Sequence, residues 1–430
     1  MAAVERVMSR RLFGGLAAGV AGGVVLGGCS SGAPSASTPL RVAAVNHVWT
    51  RAVRERLGEF EERVRRRVSM SLLTGDQLSS SYNVKLNASA TDIDVMMVRP
   101  LQEQLLFAHN NWLADLSDRV QEPAFGWADF QAPPREASTT GGRVLSVPVV
   151  TERPVLYYRK DLVPTPPKTL AELKSAAERL TDRNSGRFGY VGRGQRSGAV
   201  TQWSSFLYSY GGDFTTDGRS AIATPEAIAA YEYYGELLGR SGPPGATNMS
   251  LEQAMPIFAQ GKAAFYIDAD AIYTGLVDPK VSAVGKTIGY APFPTGPAGS
   301  KPYNIPSWSL GINRFSKLQD DAWEFIRWAA GVQLVTALQT AGIPGARASV
   351  WANPAAAAGF PPELAAAMQV NARNGVGHDR PEVLQVGRAR DIVGRPLVSA
   401  VLQEQVAPVA RDADAEFNDF LVRDNRHRES

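Results

Sequence analysis

Residue types that could carry catalysis are present in this chain, but their spacing does not match catalytic motifs. No Gly-x-Ser-x-Gly nucleophile elbow occurs in the predicted folded part from Leu40 onward, and Gly285-Lys286-Thr287 lacks the first glycine that a phosphate-binding loop needs. The segment 192–198 has one residue too many for a dinucleotide fingerprint and is predicted to be a loop. The four histidines are far apart and have no metal-ligand spacing. We therefore predict no catalytic residue, no metal site and no cofactor.

Cys29 is the one cysteine of the sequence, and its surroundings predict that it carries lipid. An arginine-containing start precedes an apolar stretch over 12–25, which is too short for a comfortable membrane span. The sequence Leu26-Gly27-Gly28-Cys29 then resembles a bacterial lipobox, in which the cysteine becomes the lipidated first residue of the mature protein. We predict a signal peptide over 1–28, a flexible tether over 29–39 rich in small polar residues, and anchoring to the outer face of the cytoplasmic membrane.

The export route stays open between the general secretory and twin-arginine pathways. Ser9-Arg10-Arg11-Leu12-Phe13 fits the start of a twin-arginine signal, but paired arginines also occur in ordinary secretory leaders. Both routes place the folded part outside the cytoplasm.

Length and charge restrict the class of protein further. About 400 residues follow the leader, which suggests two or three lobes. The formal net charge of the chain is +3, and most of it belongs to the leader, so nucleic acid is not predicted as a partner. A monomer without disulfides, stabilised by its core, is expected.

Short apolar runs alternate with amphipathic segments, which is typical of α/β layering. Helix starts are indicated by the capping pattern at 169–172, by Thr224-Pro225 and by Ser250 to Gln253, and one long helix is predicted over Asp320 to Leu338. The predicted strands are Leu40 to Val45, Ile93 to Val98, Val144 to Val150, Val155 to Tyr158, Ala263 to Ile267 and Thr287 to Tyr290.

Seven motifs in this order resemble the solute-binding lipoproteins of ATP-binding-cassette carbohydrate importers, the group that includes maltose-binding protein. The resemblance covers about Leu40 to Arg380. Its motifs are Asp94-Val95-Met96-Met97 with Trp112 to Leu116, Val147 to Glu152 with Leu156 to Leu162 and Pro166 to Leu170, Phe258 to Phe265, Ala291 to Pro294, Ser307 to Ile312, Ala322 to Ile326, and Gly342-Ile343-Pro344.

The resemblance implies a two-lobed α/β fold, the type II periplasmic-binding-protein fold, with a ligand cleft between the lobes and hinge crossings. Crossings are expected near Val150 to Glu152, Tyr303 to Trp308 and Ala341 to Pro344. Lobe 1 would comprise 40–150 with 306–340, and lobe 2 would comprise 151–305 with 341–430.

The same resemblance suggests which side chains bind a sugar, whose hydroxyls need carboxylates or amides and whose faces suit aromatic rings. Glu152 matches the family's acid near the hinge, Trp308 stands at a strand re-entry, and Trp203 lies at a helix start. A solvated hinge carboxylate is the alternative for Glu152, and packing is the alternative for each tryptophan.

Further candidates follow strand ends. Asp268 and Asp270 stand where maltose binders carry an aromatic, so we expect a small or polar ligand; two carboxylates could also meet the cation of an amino sugar, or simply cap the next helix. Asn46 and Trp49 follow the first strand, where open α/β sheets bind ligands. Arg99 and Arg380 could reach a hydroxyl or a phosphate, or form surface ion pairs.

The predicted function is a non-enzymatic receptor that binds a sugar, mono- or oligosaccharide, and delivers it to the membrane permease subunits of an ABC importer. Within binding proteins the alternative ligand is a glycerophosphodiester, for which Arg99 and Arg380 would matter. An extracellular carbohydrate-active enzyme is the alternative class, since two suitably spaced carboxylates can cleave a glycosidic bond.

Overall fold

The computed structural model describes residues 38–429, so Cys29, the leader and most of the predicted tether lie outside the described residues. Within 38–429 no helix combines the length and apolarity needed to cross a membrane. The strands are β1 Leu40–Val45, β2 Val68–Leu73, β3 Val95–Val98, β4 Thr139–Thr140, β5 Arg143–Val144, β6 Val147–Glu152, β7 Pro154–Arg159, β8 Phe188–Val191, β9 Thr215–Thr216, β10 Arg219–Ser220, β11 Ala263–Ala269, β12 Ile288–Ala291 and β13 Ile305–Ile312.

The α-helices fill the intervals between these strands and the C-terminal region, and short 3-10 or π turns lie at Pro100–Gln104, Trp127–Asp129, Ala246–Asn248 and Asp270–Ile272. The α-helices are α1 Val48–Arg54, α2 Leu57–Val64, α3 Gly75–Asn87, α4 Leu105–His109, α5 Ser117–Val120, α6 Ala132–Ala137, α7 Leu170–Leu180, α8 Ala199–Tyr210, α9 Pro225–Ser241, α10 Leu251–Ala259, α11 Tyr273–Val277, α12 Gln319–Ala329, α13 Val332–Thr340, α14 Ala348–Ala352, α15 Pro354–Ala357, α16 Pro362–Arg373, α17 Val386–Val393, α18 Arg395–Val401 and α19 Val406–Glu429.

Two separate β-sheets form the centres of two lobes. The first sheet has the strand order β2-β1-β3-β13-β6, with β1 parallel to β2 and β3, and with β13 antiparallel to β3 and β6. The second has the order β12-β7-β11-β8, with β11 antiparallel to β7 and parallel to β8. The predicted two-lobed α/β fold is confirmed.

Helices cover both faces of the second sheet, as the sequence of β7 illustrates. Leu156 and Tyr158 belong to one apolar cluster, whereas Val155 and Tyr157 belong to another on the opposite face. Because successive strand side chains point to opposite faces, a continuous apolar run such as this strand is what a sheet buried on both sides requires.

The strands predicted from apolar runs are confirmed with small shifts at their ends, and β2, β8, β13 and the short strands β4, β9 and β10 are additional. The single long helix predicted over Asp320 to Leu338 is wrong. Two helices replace it, because α12 ends at Ala329 with Ala330 as its C-cap, and Gly331 adopts an extended conformation (φ −68°, ψ 150°) as the N-cap of α13. Glycine is a poor residue for the interior of a helix, so the break falls there.

The chain passes between the sheets at three places. Arg153 alone separates β6 from β7, which lie in different sheets, and β13 re-enters the first sheet at Ile305. Ile343 and Ala346 still pack in the first core although they follow residue 340, so we propose that the third crossing lies beyond them. The other lobe boundaries given above stay a prediction.

Candidate ligand-binding site

Glu152 lies where the first crossing leaves the five-stranded sheet. β13 pairs with β6 at this point, and Ile305 is opposite Glu152. The residue is partly exposed. Burial raises the pKa of Glu152 to about 7, Asp270 adds to the rise, and Arg193 opposes it. This carboxyl therefore gains or loses its proton near neutral pH, and it can bond a ligand hydroxyl in either form.

Asp268 occupies the end of β11 and is fully buried. Its carboxylate accepts from Arg193 (Nε at 3.0 Å, Nη2 at 2.5 Å), from Gln202 Nε2 at 2.7 Å and from the Tyr266 hydroxyl at 2.6 Å. Burial by itself would lower the pKa of Arg193, but the pair with Asp268 outweighs it, so the pKa lies above its ordinary value. The network fixes the Arg193 guanidinium at the edge where β8 and β11 end.

Asp270 follows directly, but it belongs to the hinge. Its carboxylate accepts from Arg153 Nε at 2.6 Å, and its own backbone N–H donates to the Arg153 carbonyl oxygen at 2.8 Å. Both side chains are buried, and the Arg153 guanidinium lies 5.1 Å from the centre of the Trp351 ring. Burial raises the pKa of the Asp270 carboxyl, and Arg153 opposes that rise.

The predicted meeting of Asp268 and Asp270 with one cation is therefore corrected. Each carboxylate already has its own arginine, at 2.5 Å and 2.6 Å respectively. Neither carboxylate caps the following 3-10 turn, which has no side-chain cap. A cationic amino group would have to displace a guanidinium that is already bonded, so these residues do not support an amino-sugar ligand.

Trp308 and Arg99 form a corner in lobe 1. Trp308, in β13, is partly exposed, and the Arg99 guanidinium lies 5.7 Å from the centre of its ring. Arg99 pairs with Glu103 at 2.9 Å and donates to the Ser79 hydroxyl at 2.7 Å. A Cβ at Gly75, the first residue of α3, would lie 3.5 Å from Arg99 Nη1 and 3.9 Å from Trp308 Cη2. The start of α3 therefore borders the same corner.

Arg380 joins the two lobes directly. Its Nη1 donates to Gln102 Oε1 at 2.9 Å, and Gln102 belongs to the π turn that follows β3 of lobe 1. Arg380 Nε and Nη2 donate to the neighbouring Asp379, at 2.6 and 2.5 Å, and Nη2 also donates to Thr201 Oγ1 at 3.4 Å. The lobes are thus in contact across the cleft, and Arg380 forms a charged bridge rather than a solvated surface pair.

Arg390, on α17, is a further candidate residue that the sequence did not reveal. Its Nη2 donates to Thr201 Oγ1 at 3.2 Å, while its Nε is buried and has no partner among the described residues. Burial lowers the pKa of Arg390 to about 9, Arg380 lowers it further, and Asp379 opposes the decrease. Arg390 is therefore a guanidinium with one buried donor, Nε, that has no acceptor among the described residues.

Tyr303, in the second crossing, is fully buried, and its hydroxyl has no hydrogen-bond partner among the residues described. Burial raises the pKa of this hydroxyl well above its usual value, and Asp268 and Glu152 raise it further, as expected for a phenol beside these carboxyls. The unpartnered hydroxyl thus lies near the groups that surround Glu152.

Three predicted site residues lie elsewhere. Trp203 is fully buried in the core of lobe 2, where it stacks on Tyr231 with ring centres 4.0 Å apart. Trp49 is 1% exposed in the core of lobe 1. Asn46 is exposed and accepts from Arg51 at 2.8 Å. The two tryptophans do not line the site, because packing leaves their rings no free face. Asn46 has no described contact with the other site residues.

Some signal for the missed residues was present in the sequence. Arg193 follows β8 by two residues, and β8 runs parallel to β11, so the carboxyl ends of both strands meet at one edge with Asp268. Arg390 and Tyr303 carry no comparable signal, because only the arrangement of the lobes brings a C-terminal helix and a crossing segment to the same place.

The chain matches the family model described as bacterial extracellular solute-binding protein over residues 49–333. A probable ABC transporter-binding protein of Deinococcus radiodurans is 31% identical over 59% of this chain and 61% of its own length. The erythritol/L-threitol-binding protein of Mycolicibacterium smegmatis is 28% identical, covering 47% and 45%, and the mannitol-binding protein of Pseudomonas aeruginosa is 26% identical, covering 53% and 54%. The chain thus spans roughly half of the curated relatives it matches.

Solved structures agree on the fold over almost the whole chain. An ABC transporter solute-binding protein from Agrobacterium radiobacter in complex with ribitol has a TM-score of 0.78 at 23% identity, covering 89% of this chain and 98% of that one. UgpB from Mycobacterium tuberculosis in complex with glycerophosphocholine has a TM-score of 0.76 at 19% identity, covering 90% and 99%. With the sheet topology and the family match, these likenesses establish that the chain belongs to the bacterial extracellular solute-binding proteins.

Proposed function

We propose that this protein is an extracytoplasmic receptor that binds a sugar or polyol between its lobes and delivers it to the permease subunits of an ABC importer. Named relatives that bind erythritol or mannitol support a small, hydroxyl-rich ligand. The proposal includes a lipid anchor at Cys29, which would hold the receptor beside its permease. It assigns no catalytic step to the chain.

The observation that carries this proposal is the set of polar groups along the lobe interface. Glu152 offers a carboxyl to hydroxyl groups, and Trp308 offers a partly exposed ring to the apolar face of a sugar or polyol. Arg380 links the lobes through Gln102, so closure brings donors from both sides to one place. Such convergent polar groups fix the orientation of a small ligand, as binding clefts require.

A glycerophosphodiester remains the second candidate ligand. The arginines of the cleft favour it, and the neighbouring fold of UgpB, in complex with glycerophosphocholine, is consistent with it. The alternative of a carbohydrate-active enzyme is less well supported. Such an enzyme needs two carboxyls free to act on the glycosidic bond, but Asp268 and Asp270 are held by arginines.

The function is tested by ligand-induced stabilisation. The mature soluble segment is melted with a panel of alditols, monosaccharides, oligosaccharides and glycerophosphodiesters, and hits are measured by calorimetry. A ligand at about 100 times its dissociation constant should stabilise the fold by about 2.7 kcal/mol. Chromatography of the recovered ligand separates binding from turnover: intact ligand is expected, and accumulating product would contradict a receptor. No stabilisation by any hydroxyl-rich ligand would remove the proposed ligand class.

Trp308→Ala is expected to weaken binding of the identified sugar or polyol about ten-fold, because stacking and apolar contact contribute about 1–2 kcal/mol. Calorimetry with the purified variant measures this change. Trp127→Ala is the matched control, because Trp127 packs against Phe125 and Phe130 in lobe 1. Equal affinities of the Trp308 variant and the parent, in a variant with a normal melting curve, would exclude Trp308 from the site.

A further inference from the structure

The charges around the cleft are paired almost completely within the protein. Four arginines each have a carboxylate partner: Arg99 with Glu103, Arg153 with Asp270, Arg193 with Asp268, and Arg380 with Asp379. Each pair is neutral in sum. The Glu152 carboxyl and a fifth arginine, Arg390, lie outside these pairs.

Arg390 differs from the other four because no carboxylate forms an ion pair with it among the described residues. Its Nη2 bonds the neutral Thr201 hydroxyl, and its buried Nε has no acceptor. A buried guanidinium donor without an acceptor costs free energy, and an anionic oxygen would recover that cost. Arg380, Arg193 and Arg99 all disfavour the charge on Arg390 and lower its pKa. A nearby anionic oxygen would favour that charge.

The start of α8 reinforces this position. Thr201 lies in the first turn of the 12-residue helix α8, whose N-cap residue Gly198 has no side chain to bond the first backbone N–H groups. Thr201 Oγ1 also accepts from Arg380 Nη2 at 3.4 Å, so both guanidinium groups converge on this helix start. Helix N-termini attract anions through their dipole, and in α8 the first N–H group, that of Ala199, already donates to the Gln195 carbonyl oxygen at 2.7 Å.

We propose that the ligand of this receptor carries a singly charged anionic group, a carboxylate or a phosphodiester, which accepts from Arg390 beside Thr201 at the start of α8. The proposal rests on the receptor function above and narrows its ligand class. Arg390 adds at most one unpaired positive charge, and the Glu152 carboxyl, whose pKa is about 7, offsets part of it at pH 7. A phosphomonoester, with nearly two negative charges at pH 7, is therefore a poorer match than a monoanion. Glu152 and Trp308 would then hold the hydroxyl-bearing part of the same molecule.

The test compares matched ligands by calorimetry at pH 7. Neutral alditols (erythritol, ribitol, mannitol, glucitol) are paired with their aldonic acids, glycerol is paired with glycerophosphoglycerol, a phosphodiester with one net negative charge, and glycerol 3-phosphate supplies the dianion. We expect at least one monoanion to bind at least ten-fold more tightly than its neutral partner and more tightly than the dianion. Raising NaCl from 50 to 500 mM should weaken binding of the monoanion several-fold without affecting the alditol.

Arg390→Met should remove most of that preference, a loss on the order of ten- to hundred-fold in affinity for the monoanion. Arg388→Met, on the exposed face of the same helix, should retain it. If Arg390→Met fails to fold, Thr201→Val supplies the second variant, because it keeps the shape but removes the hydroxyl that positions both guanidinium groups. This variant should reduce the preference several-fold.

The outcomes separate the two proposals. If alditols bind as tightly as their acids, or if Arg390→Met and Arg388→Met behave alike, the anion proposal is wrong while the receptor function stands. If neither the neutral nor the anionic ligands bind, both are wrong. The aldonic acids and the glycerophosphodiester distinguish the carboxylate from the phosphodiester.

Discussion

Asp268→Ala is expected to lower the free energy of unfolding by about 3–5 kcal/mol, because it leaves a largely buried guanidinium without its partner. Asp268 is fully buried, and the Arg193 side chain is 16% exposed. The substitution also removes the acceptor of Gln202 and of the Tyr266 hydroxyl. Urea denaturation followed by circular dichroism measures the loss.

A second variant separates the ion pair from simple loss of packing. Asp268→Ala combined with Arg193→Met should be less destabilised than Asp268→Ala alone, because the unpaired charge is then absent. Asp391→Ala is the matched control: Asp391 pairs with Arg196 at 3.0 Å on the exposed surface, so its loss should cost less than about 1 kcal/mol. Equal destabilisation by Asp268→Ala and Asp391→Ala would show that the buried network does not stabilise the cleft.

Glu152→Gln is expected to stabilise the protein at pH 8 by about 2 kcal/mol and to have much less effect at pH 4.5. Burial raises the pKa of Glu152 from 4.5 to about 7. Between these values the unfolded chain has released the proton that the folded protein keeps, so the folded state binds more protons and its stability falls as pH rises. The full pKa difference corresponds to about 3 kcal/mol, and partial exposure reduces it.

Urea denaturation of the variant and the parent at half-unit intervals from pH 4.5 to 8 measures this difference. Glu178→Gln, at an exposed position of α7, is the control and should follow the parent throughout. The gap between Glu152→Gln and the parent should widen as pH rises to about 7 and then level off. A constant gap over the whole range would mean that Glu152 does not take up its proton in this window.

The residues along strands and at their ends were predictable because the relevant signals are local. The apolar runs of β7 and β11 identify strands buried on both faces, and Glu152, Asp268 and Arg99 follow or end strands where open sheets expose polar groups. The first crossing beside Glu152 was predicted from the family resemblance instead. The local reasoning failed within the predicted helix over Asp320 to Leu338, where the glycine at 331 separates two helices with continuous helical patterns on either side.

The sequence by itself thus determined the α/β class, most strands and several polar candidates, since periodicity and helix-start patterns act over a few residues. Only the tertiary structure decided which charge meets which. Asp268 and Arg193 are 75 residues apart, and Asp270 and Arg153 are 117 apart, so their pairing depends on how strands assemble. Packing likewise buried Trp203 and left Arg390 Nε without an acceptor among the described residues. The reason is that only the folded lobes decide which face of a helix meets its neighbours.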